Sequence, residues 1–283
     1  MESSLSGVSP VNPIAPYLGG KRNLAKRVCT LLATIPHRTY VEPFIGMGGI
    51  FLRRTSRPPV EVINDISADV TNLFRVVRRH YEPLVEEMAW LISSRDEFDR
   101  LRRVDPDTLT DIERAARFIY LQRLAFGGKV RGRNFGVDAR TPSRFNLATL
   151  RGELRALRDR LASVTIERLP YRDVIERYDT PDTLFYLDPP YWDCERDYGD
   201  GVFERADFER LAEQLAGIAG RFVLSINATA GAREVFGRFG VEEVAVTYTI
   251  STAAIGAGKS VSELLVTGPS SEPWQVQPVL QLL

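Results

Sequence analysis

A carboxylate, two prolines and a phenol follow one another at the end of an apolar run, where Thr183-Leu184-Phe185-Tyr186-Leu187 leads into Asp188-Pro189-Pro190-Tyr191. The run predicts a buried strand, and open α/β sheets place ligands at the carboxyl ends of their parallel strands. Asp188 would stand there, with a carboxylate able to accept a hydrogen bond from an exocyclic amine. Pro189 and Pro190 lack a backbone N–H and have a fixed φ, so the turn is stiff and offers only carbonyl oxygens. The rim is therefore made of acceptors. Two acceptors holding the two hydrogens of an arylamine can draw its lone pair out of conjugation and aim it at an electrophile, while Tyr191 stacks on the ring. An ordinary strand-to-turn exit uses the same residue types, so other positions must decide.

A second group lies upstream. Tyr40-Val41-Glu42-Pro43-Phe44-Ile45-Gly46-Met47-Gly48-Gly49 reads as a short strand, a glycine-rich turn and the start of a helix through Phe51 and Leu52. Gly46 and Gly48 allow backbone to come close to a ligand. The dinucleotide fingerprint would need a glycine at Phe51. Glu42 in this turn disfavours a bare phosphate and suits a cationic or hydroxyl-rich cofactor. The next strand, Val60 to Ile63, ends in Asn64-Asp65, where an acid typically bonds ribose hydroxyls. Near the amino end, Tyr17-Leu18-Gly19-Gly20-Lys21-Arg22 opens an amphipathic helix with Leu24, Val28, Leu31 and Leu32 on one face. Two glycines before a lysine there make a carboxylate site by dipole and direct charge.

The elements that position these residues alternate. Strands at Tyr40, Val60, Val164, Thr183, Arg221 to Ile226, Val241 to Ile250 and Glu263 to Thr267 are separated by helices at Tyr171 to Tyr178, Ala206 to Ala219 and Ala232 to Phe239. This predicts a doubly wound, mostly parallel seven-stranded α/β sheet closing with an antiparallel pair. From Ile66 to Leu161 the pattern is mainly helical, strongest from Ile112 to Leu124. It breaks at residues 126–136, a glycine-rich, basic stretch expected to form a hairpin or extended loop. The boundaries follow as 1–66, a helical insert at 67–162, and 163–283.

Net charge is zero over 283 residues, yet positions 114–160 hold twelve basic side chains against three acids. A solvated helix face interleaves signs more evenly, so this segment is expected to attract phosphates. Two cysteines and two histidines, all outside the motifs, leave no zinc spacing, disulfide framework or histidine triad. His37 and His80 are expected at the surface or as caps. No apolar run approaches a membrane span, and the start lacks a signal peptide's charge and core, which predicts a cytoplasmic protein.

The order of Tyr17…Gly19-Gly20-Lys21, Glu42-Pro43-Phe44-x-Gly-x-Gly, Asn64-Asp65-Ile66 and Asp188-Pro189-Pro190-Tyr191 closely resembles the Dam-type (alpha-group) DNA adenine methyltransferases. Ser262-Glu263-Leu264-Leu265-Val266 is similar to that family's closing hairpin, so the resemblance covers about Ala15 to Thr267. It implies a Rossmann-like methyltransferase, encoded by a bacterium or phage, with an inserted target-recognition domain. It also implies S-adenosyl-L-methionine as cofactor and an adenine flipped out of double-stranded DNA as substrate. Tyr17, Lys21, Phe44, Asp65 and Asp188 would line the cofactor pocket, with Glu42, Gly46 and Gly48 of the glycine turn. Asp188, Pro189, Pro190 and Tyr191 would hold the base.

In the family, the element after a Leu-Asn-Arg helix reads the target. Here the helix carries Leu121-Gln122-Arg123, and Gly127 stands where members that read GATC have asparagine. Arg131 or Arg133 is expected to read a guanine edge. Arg123, Phe126, Lys129 and Asn134 would position the duplex, and Lys259 in the closing loop would touch its backbone. A monomer with no metal is expected. An amino-methyltransferase for cytosine or RNA, and a non-catalytic DNA-binding relative, are the alternatives.

Overall fold

A computed structural model of the chain describes residues 5–17, 19–136, 140, 142–199, 201–248 and 259–268. The elements run β1 (Ser6–Gly7), α1 (Ala25–Thr34), β2 (Thr39–Glu42), β3 (Ser56–Arg57), β4 (Val60–Asn64) and then five helices. These are α2 (Ala68–Arg79), α3 (Tyr81–Ala89), α4 (Arg95–Arg103), α5 (Asp111–Leu124) and α6 (Leu147–Arg160). The chain continues through β5 (Thr165–Glu167), α7 (Tyr171–Tyr178), β6 (Thr183–Leu187), α8 (Arg205–Ala216), β7 (Arg221–Asn227), α9 (Ala230–Phe236), β8 (Gly240–Tyr248) and β9 (Lys259–Gly268).

The main sheet has seven strands in the order β5-β4-β2-β6-β7-β9-β8. The first five are parallel, and β9 pairs antiparallel with both β7 and β8. This is the expected mixed α/β sheet. Strand order reverses between β2 and β6, so the crevice at their carboxyl ends is the switch point where such sheets bind ligands. All five residues of β6 are buried, which accounts for its continuous apolar sequence, since a central parallel strand is covered on both faces.

Several expectations are corrected. No α-helix follows the glycine turn; residues 46–50 form turns, and one 3-10 turn spans Phe51–Arg53. Gly46 at φ 49° and Gly48 at φ 75° lie in the left-handed region, which a right-handed helix does not pass through. The chain instead turns into β3, which pairs with β1. His37 is buried at 1% exposure rather than at the surface. Its Nδ1–H donates to the Ile35 carbonyl at 2.6 Å and its Nε2 accepts from Arg54 at 3.0 Å. Burial lowers its pKa to about 4. His80 does sit in a capping position, between α2 and α3. Residues 249 and 250 of the expected Val241 strand lie outside the described residues.

The helical stretch is held by strong local signals. Thr110 and Glu113 form a reciprocal capping box at the start of α5, and Ser67 and Ser94 cap α2 and α4. The helices do not form a separate core: one buried apolar cluster joins Leu24, Tyr40, Ile63 and Tyr186 of the sheet half to Phe74, Phe118 and Leu157 of the helices. A buried ion cluster reinforces that junction. Arg160 at the end of α6 binds both oxygens of Glu61 on β4 at 2.7 Å, and Arg54 reaches the same carboxylate at 3.3 Å. Arg160 and Arg54 also stack on Phe51 and Tyr40, 3.9 and 3.7 Å from the ring centroids.

Breaking a buried pair from one side leaves the opposite charge uncompensated, at a cost of about 3–5 kcal/mol. With two arginines losing one carboxylate, Glu61→Ala is expected to destabilise the fold by at least that amount. Denaturant unfolding monitored by circular dichroism measures it.

Candidate active site

The carboxyl-end crevice opens into a cavity of about 1420 Å³. Of the residues expected at a cofactor pocket, Tyr17, Lys21, Glu42, Phe44, Gly46, Asp65 and Asp188 line it; Gly48 does not. A Cβ on Gly48 would lie 2.8 Å from Leu52 Cγ, so this glycine serves the turn and not the wall.

The turn after β2 is stitched onto the end of β4. Asn64 donates through Nδ2 to the carbonyls of Pro43 (2.9 Å) and Leu169 (3.0 Å) and accepts from the Leu169 amide at 2.8 Å. Asp65 accepts the Gly46 N–H on Oδ2 and the Ser67 N–H on Oδ1, both at 2.9 Å. Asn64 and Asp65 thus fix the turn to the end of β4. Tyr17 lies against Gly46, where a Cβ would come within 3.1 Å of its ring. Phe44, Tyr171 and Phe203 form an aromatic wall with centroids 5.4 to 6.0 Å apart.

Burial raises the Asp65 pKa to about 6 and that of Glu42 to about 8. The Tyr40 hydroxyl, 2.5 Å from Glu42 Oε1, opposes the second shift. Carboxylates held above their usual range beside a cavity gain from a positively charged or hydroxyl-bearing guest, which restores what burial removed.

Asp188 directly follows β6, and its carboxylate is pinned on one oxygen. Oδ1 receives the Lys21 ammonium at 2.8 Å and the Ser225 hydroxyl at 3.1 Å. Among the described residues no donor reaches Oδ2. Ser225 is itself fixed by Tyr186, whose hydroxyl is 2.8 Å away. Burial raises the Asp188 pKa to about 6 against the opposing pull of Lys21.

Lys21 is 2% exposed, so it is not the open carboxylate site that its glycines suggested. Its Nζ is shared among Asp188, the Tyr191 hydroxyl and Glu263, and lies 4.2 Å from the Tyr191 ring centroid. Pro190 reaches the cavity wall, whereas Pro189 and Tyr191 do not. Asn227 clasps both backbone groups of Trp192, at 2.9 and 3.0 Å, and thereby anchors the chain after Tyr191. Sequence reasoning missed Ser225, Asn227, Glu263, Tyr171 and Phe203. Only Glu263 left a signal, an acid inside an apolar strand.

The residues expected on DNA divide. Phe126, Lys129, Arg131 and Asn134 are exposed, Phe126 at 52%. Their loop is closed by an Ala125–Phe135 bridge and by Phe126 N–H donating to the Asn134 carbonyl at 2.9 Å. Arg123 is tied to the carbonyls of Ile14 and Arg144 and to Glu153. Arg133 is tucked over Phe118 and donates to Gln122. Lys259 opens β9, and its side chain lies outside the described residues.

Part of the basic excess counted over 114–160 is tied up within the protein, while Lys129, Arg131, Arg140, Arg151 and Arg155 stay exposed. Arg114 meets Asp69 and Asp107, Arg117 meets the carbonyls of Leu101 and Arg102, Arg144 meets those of Ala125 and Gly136, and Arg160 meets Glu61. A count along the chain cannot see partners supplied from elsewhere. Gln122, fully buried, donates to the carbonyls of Gly128 (2.6 Å) and Pro16 (2.9 Å), joining the loop to the segment that carries Tyr17.

Residues 17–250 match the profile of the D12 class N6 adenine-specific DNA methyltransferases. The chain belongs to this family. The type II methyltransferase M1.LlaDCHI of Lactococcus lactis subsp. cremoris is 26% identical over 282 residues, 91% of this chain and 95% of its own length. M.CviBI of Paramecium bursaria Chlorella virus NC1A is 23% identical, covering 80% and 86%. The DNA adenine methylase of Haemophilus influenzae is 24% identical, covering 84% and 87%. The D12-class enzyme transfers a methyl group from S-adenosyl-L-methionine to N6 of adenine in DNA.

The donor carries a positive sulfonium and a ribose with two hydroxyls, which matches the raised carboxylates of Glu42 and Asp65. Asp65→Ala removes a charged acceptor that also holds Gly46. Hydrogen bonds to charged groups contribute about 1.5–3 kcal/mol each, so affinity for S-adenosyl-L-methionine is expected to fall about tenfold to a hundredfold in calorimetric titration.

Proposed function

We propose that the adenine is flipped from duplex DNA into the space beside Asp188, with its amine on Oδ2 of that carboxylate. The observation that carries this reading is the asymmetric engagement of Asp188. Lys21 and Ser225 occupy Oδ1, and Oδ2 accepts from no described residue. A carbonyl of the Pro189-Pro190 turn supplies the second acceptor, and the two together direct the nitrogen lone pair out of the ring plane. Tyr191, restrained through Lys21 and through Trp192, stacks on the base. Glu42, Asp65, Phe44 and Tyr17 hold the cofactor across the same crevice.

Bound S-adenosyl-L-methionine supplies an electrophilic methyl group with a thioether as leaving group. In-line attack by N6 forms the N–C bond as the S–C bond breaks, with no covalent enzyme intermediate. The nitrogen becomes acidic and releases one proton to Asp188 or water. Positioning and orientation supply the rate, so Asp188 acts as an acceptor and need not be a strong base.

The loop at 126–136 is proposed to meet the duplex, with Phe126 wedging at the extruded position, Lys129 and Asn134 on the backbone and Arg131 on a base edge. Arg123 and Arg133 support that loop from beneath. Its exposed aromatic and basic side chains, rooted through Gln122 beside Tyr17, support this arrangement. Residues 67–162 would then form the recognition part and the remainder the transfer part, in an enzyme acting as a monomer in the cytoplasm. No described helix is long and apolar enough to cross a membrane.

Asp188→Ala is expected to abolish methyl transfer while DNA affinity, read by fluorescence anisotropy, stays near wild type; an active variant overturns the mechanism. Because Asp188 is the stronger acceptor when ionised, and protonation puts a donor on the carboxyl that competes with the amine, its pKa of about 6 means the single-turnover rate should fall as pH drops through about 6. It should level off above that value. A flat profile across this range would show that another group carries the acceptor role. Arg131→Ala should weaken binding to the preferred site more than to random DNA, by about 1–3 kcal/mol.

A further inference from the structure

Glu263 is a carboxylate in a place that sheets normally give to apolar side chains. It is 0% exposed, precedes Leu264, Leu265 and Val266 on β9, and pairs across the sheet with Asn227 on one side and Val244 on the other. A buried carboxylate is costly unless it meets a cation, and the cation it meets is Lys21, at 3.5 Å. The same ammonium is 2.8 Å from Asp188 Oδ1 and bonds the Tyr191 hydroxyl. A lysine has three N–H donors and no acceptor. Asp188 and the Tyr191 hydroxyl take two of them, and the third side of the ammonium faces Glu263 Oε2 as an ion pair, which draws it away from the other oxygen of Asp188.

Without the third partner, the ammonium could turn toward the other oxygen of Asp188 and compete with the incoming amine. With it, the lysine is shared between two carboxylates, and Asp188 is not fully neutralised. We propose that Glu263 is a positioning residue for the transfer, acting through Lys21 to hold the ammonium on Oδ1 of Asp188 and keep Oδ2 as the acceptor for the adenine amine. The proposal rests on the assignment of Asp188 made above.

The charged and titratable groups around Asp188 are Lys21 ahead of α1, Glu42 at the end of β2, Tyr186 on β6, Tyr191 after it, and Glu263 on β9. Within this set Glu263 raises the Asp188 pKa and Lys21 lowers it. Removing the Glu263 charge therefore draws the Asp188 ionisation to lower pH.

The test is Glu263→Gln, which preserves shape and removes charge. The expected result is a kcat reduced about tenfold or more, KM values for DNA and S-adenosyl-L-methionine near wild type, and an acid limb of the pH–rate profile displaced to lower pH. In a Lys21→Met background the same change should cause no further loss of kcat, because the positioning effect passes through the lysine, although the acid limb still moves because the Glu263 charge also acts on Asp188 directly. A wild-type kcat and acid limb in Glu263→Gln, or an undiminished effect on kcat without Lys21, overturns the proposal. Should Glu263→Gln fail to fold, Glu263→Asp keeps the charge but withdraws it from Lys21, and it should lower kcat with the KM values retained; an unchanged kcat overturns the proposal equally. Asp188→Asn measured alongside separates the two claims. If it is inactive while Glu263→Gln is normal, only the role of Glu263 is lost; if it is active, the assignment of the site itself is lost.

Discussion

The Lys21–Asp188 ion pair is the contact on which the rest of the site depends. Lys21 comes from the segment before α1, Asp188 from the end of β6, Ser225 from β7 and Glu263 from β9, so the ion pair and the groups bonded to it gather four separate stretches of chain at the switch point of the sheet. Desolvating these charges costs several kcal/mol per ion, and only mutual pairing with further hydrogen bonds offsets it. Each partner is therefore costlier in the interior without the others. That interdependence holds the Asp188 carboxylate in place, which suits the orienting role proposed for it.

A second buried cluster performs the corresponding task for the helical insert. Glu61 receives Arg160 through two oxygens and Arg54 through one, and His37, neutral because burial depresses its pKa, accepts from Arg54. The cluster bolts the end of α6 to β4 and to the chain leading into β3. The shared apolar core extends the same junction, so the loop at 126–136 is carried on a platform continuous with the sheet. Gln122 completes it by bonding carbonyls of both Gly128 and Pro16, one in the loop and one beside the pocket.

The cavity between these clusters is electrostatically unfinished. Glu42, Asp65 and Asp188 all have pKa values raised mainly by burial, and only Asp188 has a cation at hydrogen-bonding distance. On the assignment proposed above, a sulfonium and ribose hydroxyls would supply the missing partners at the end where Glu42 and Asp65 stand. The aromatic wall of Phe44, Tyr171 and Phe203 suits a planar group between them.

Much of this was legible in the order of residues. The apolar run before Asp188 required a central buried strand, the alternation of strand and helix required a doubly wound sheet, and the ordered motifs identified the family and its donor. These are local properties, carried by backbone propensity and by side chains that act close to where they sit in sequence. The helix expected after Gly48 failed because two left-handed glycines redirect the chain, and part of the Arg-rich stretch proved to be engaged inside the protein because its partners come from elsewhere. Whether Lys21 is open to solvent or locked on Asp188, whether Arg123 is open or bonded to Ile14, Arg144 and Glu153, and whether Glu263 faces apolar packing or an ammonium were decided only by tertiary structure. Burial and long-range pairing set the energy of a charge, and both arise only when distant segments are brought together.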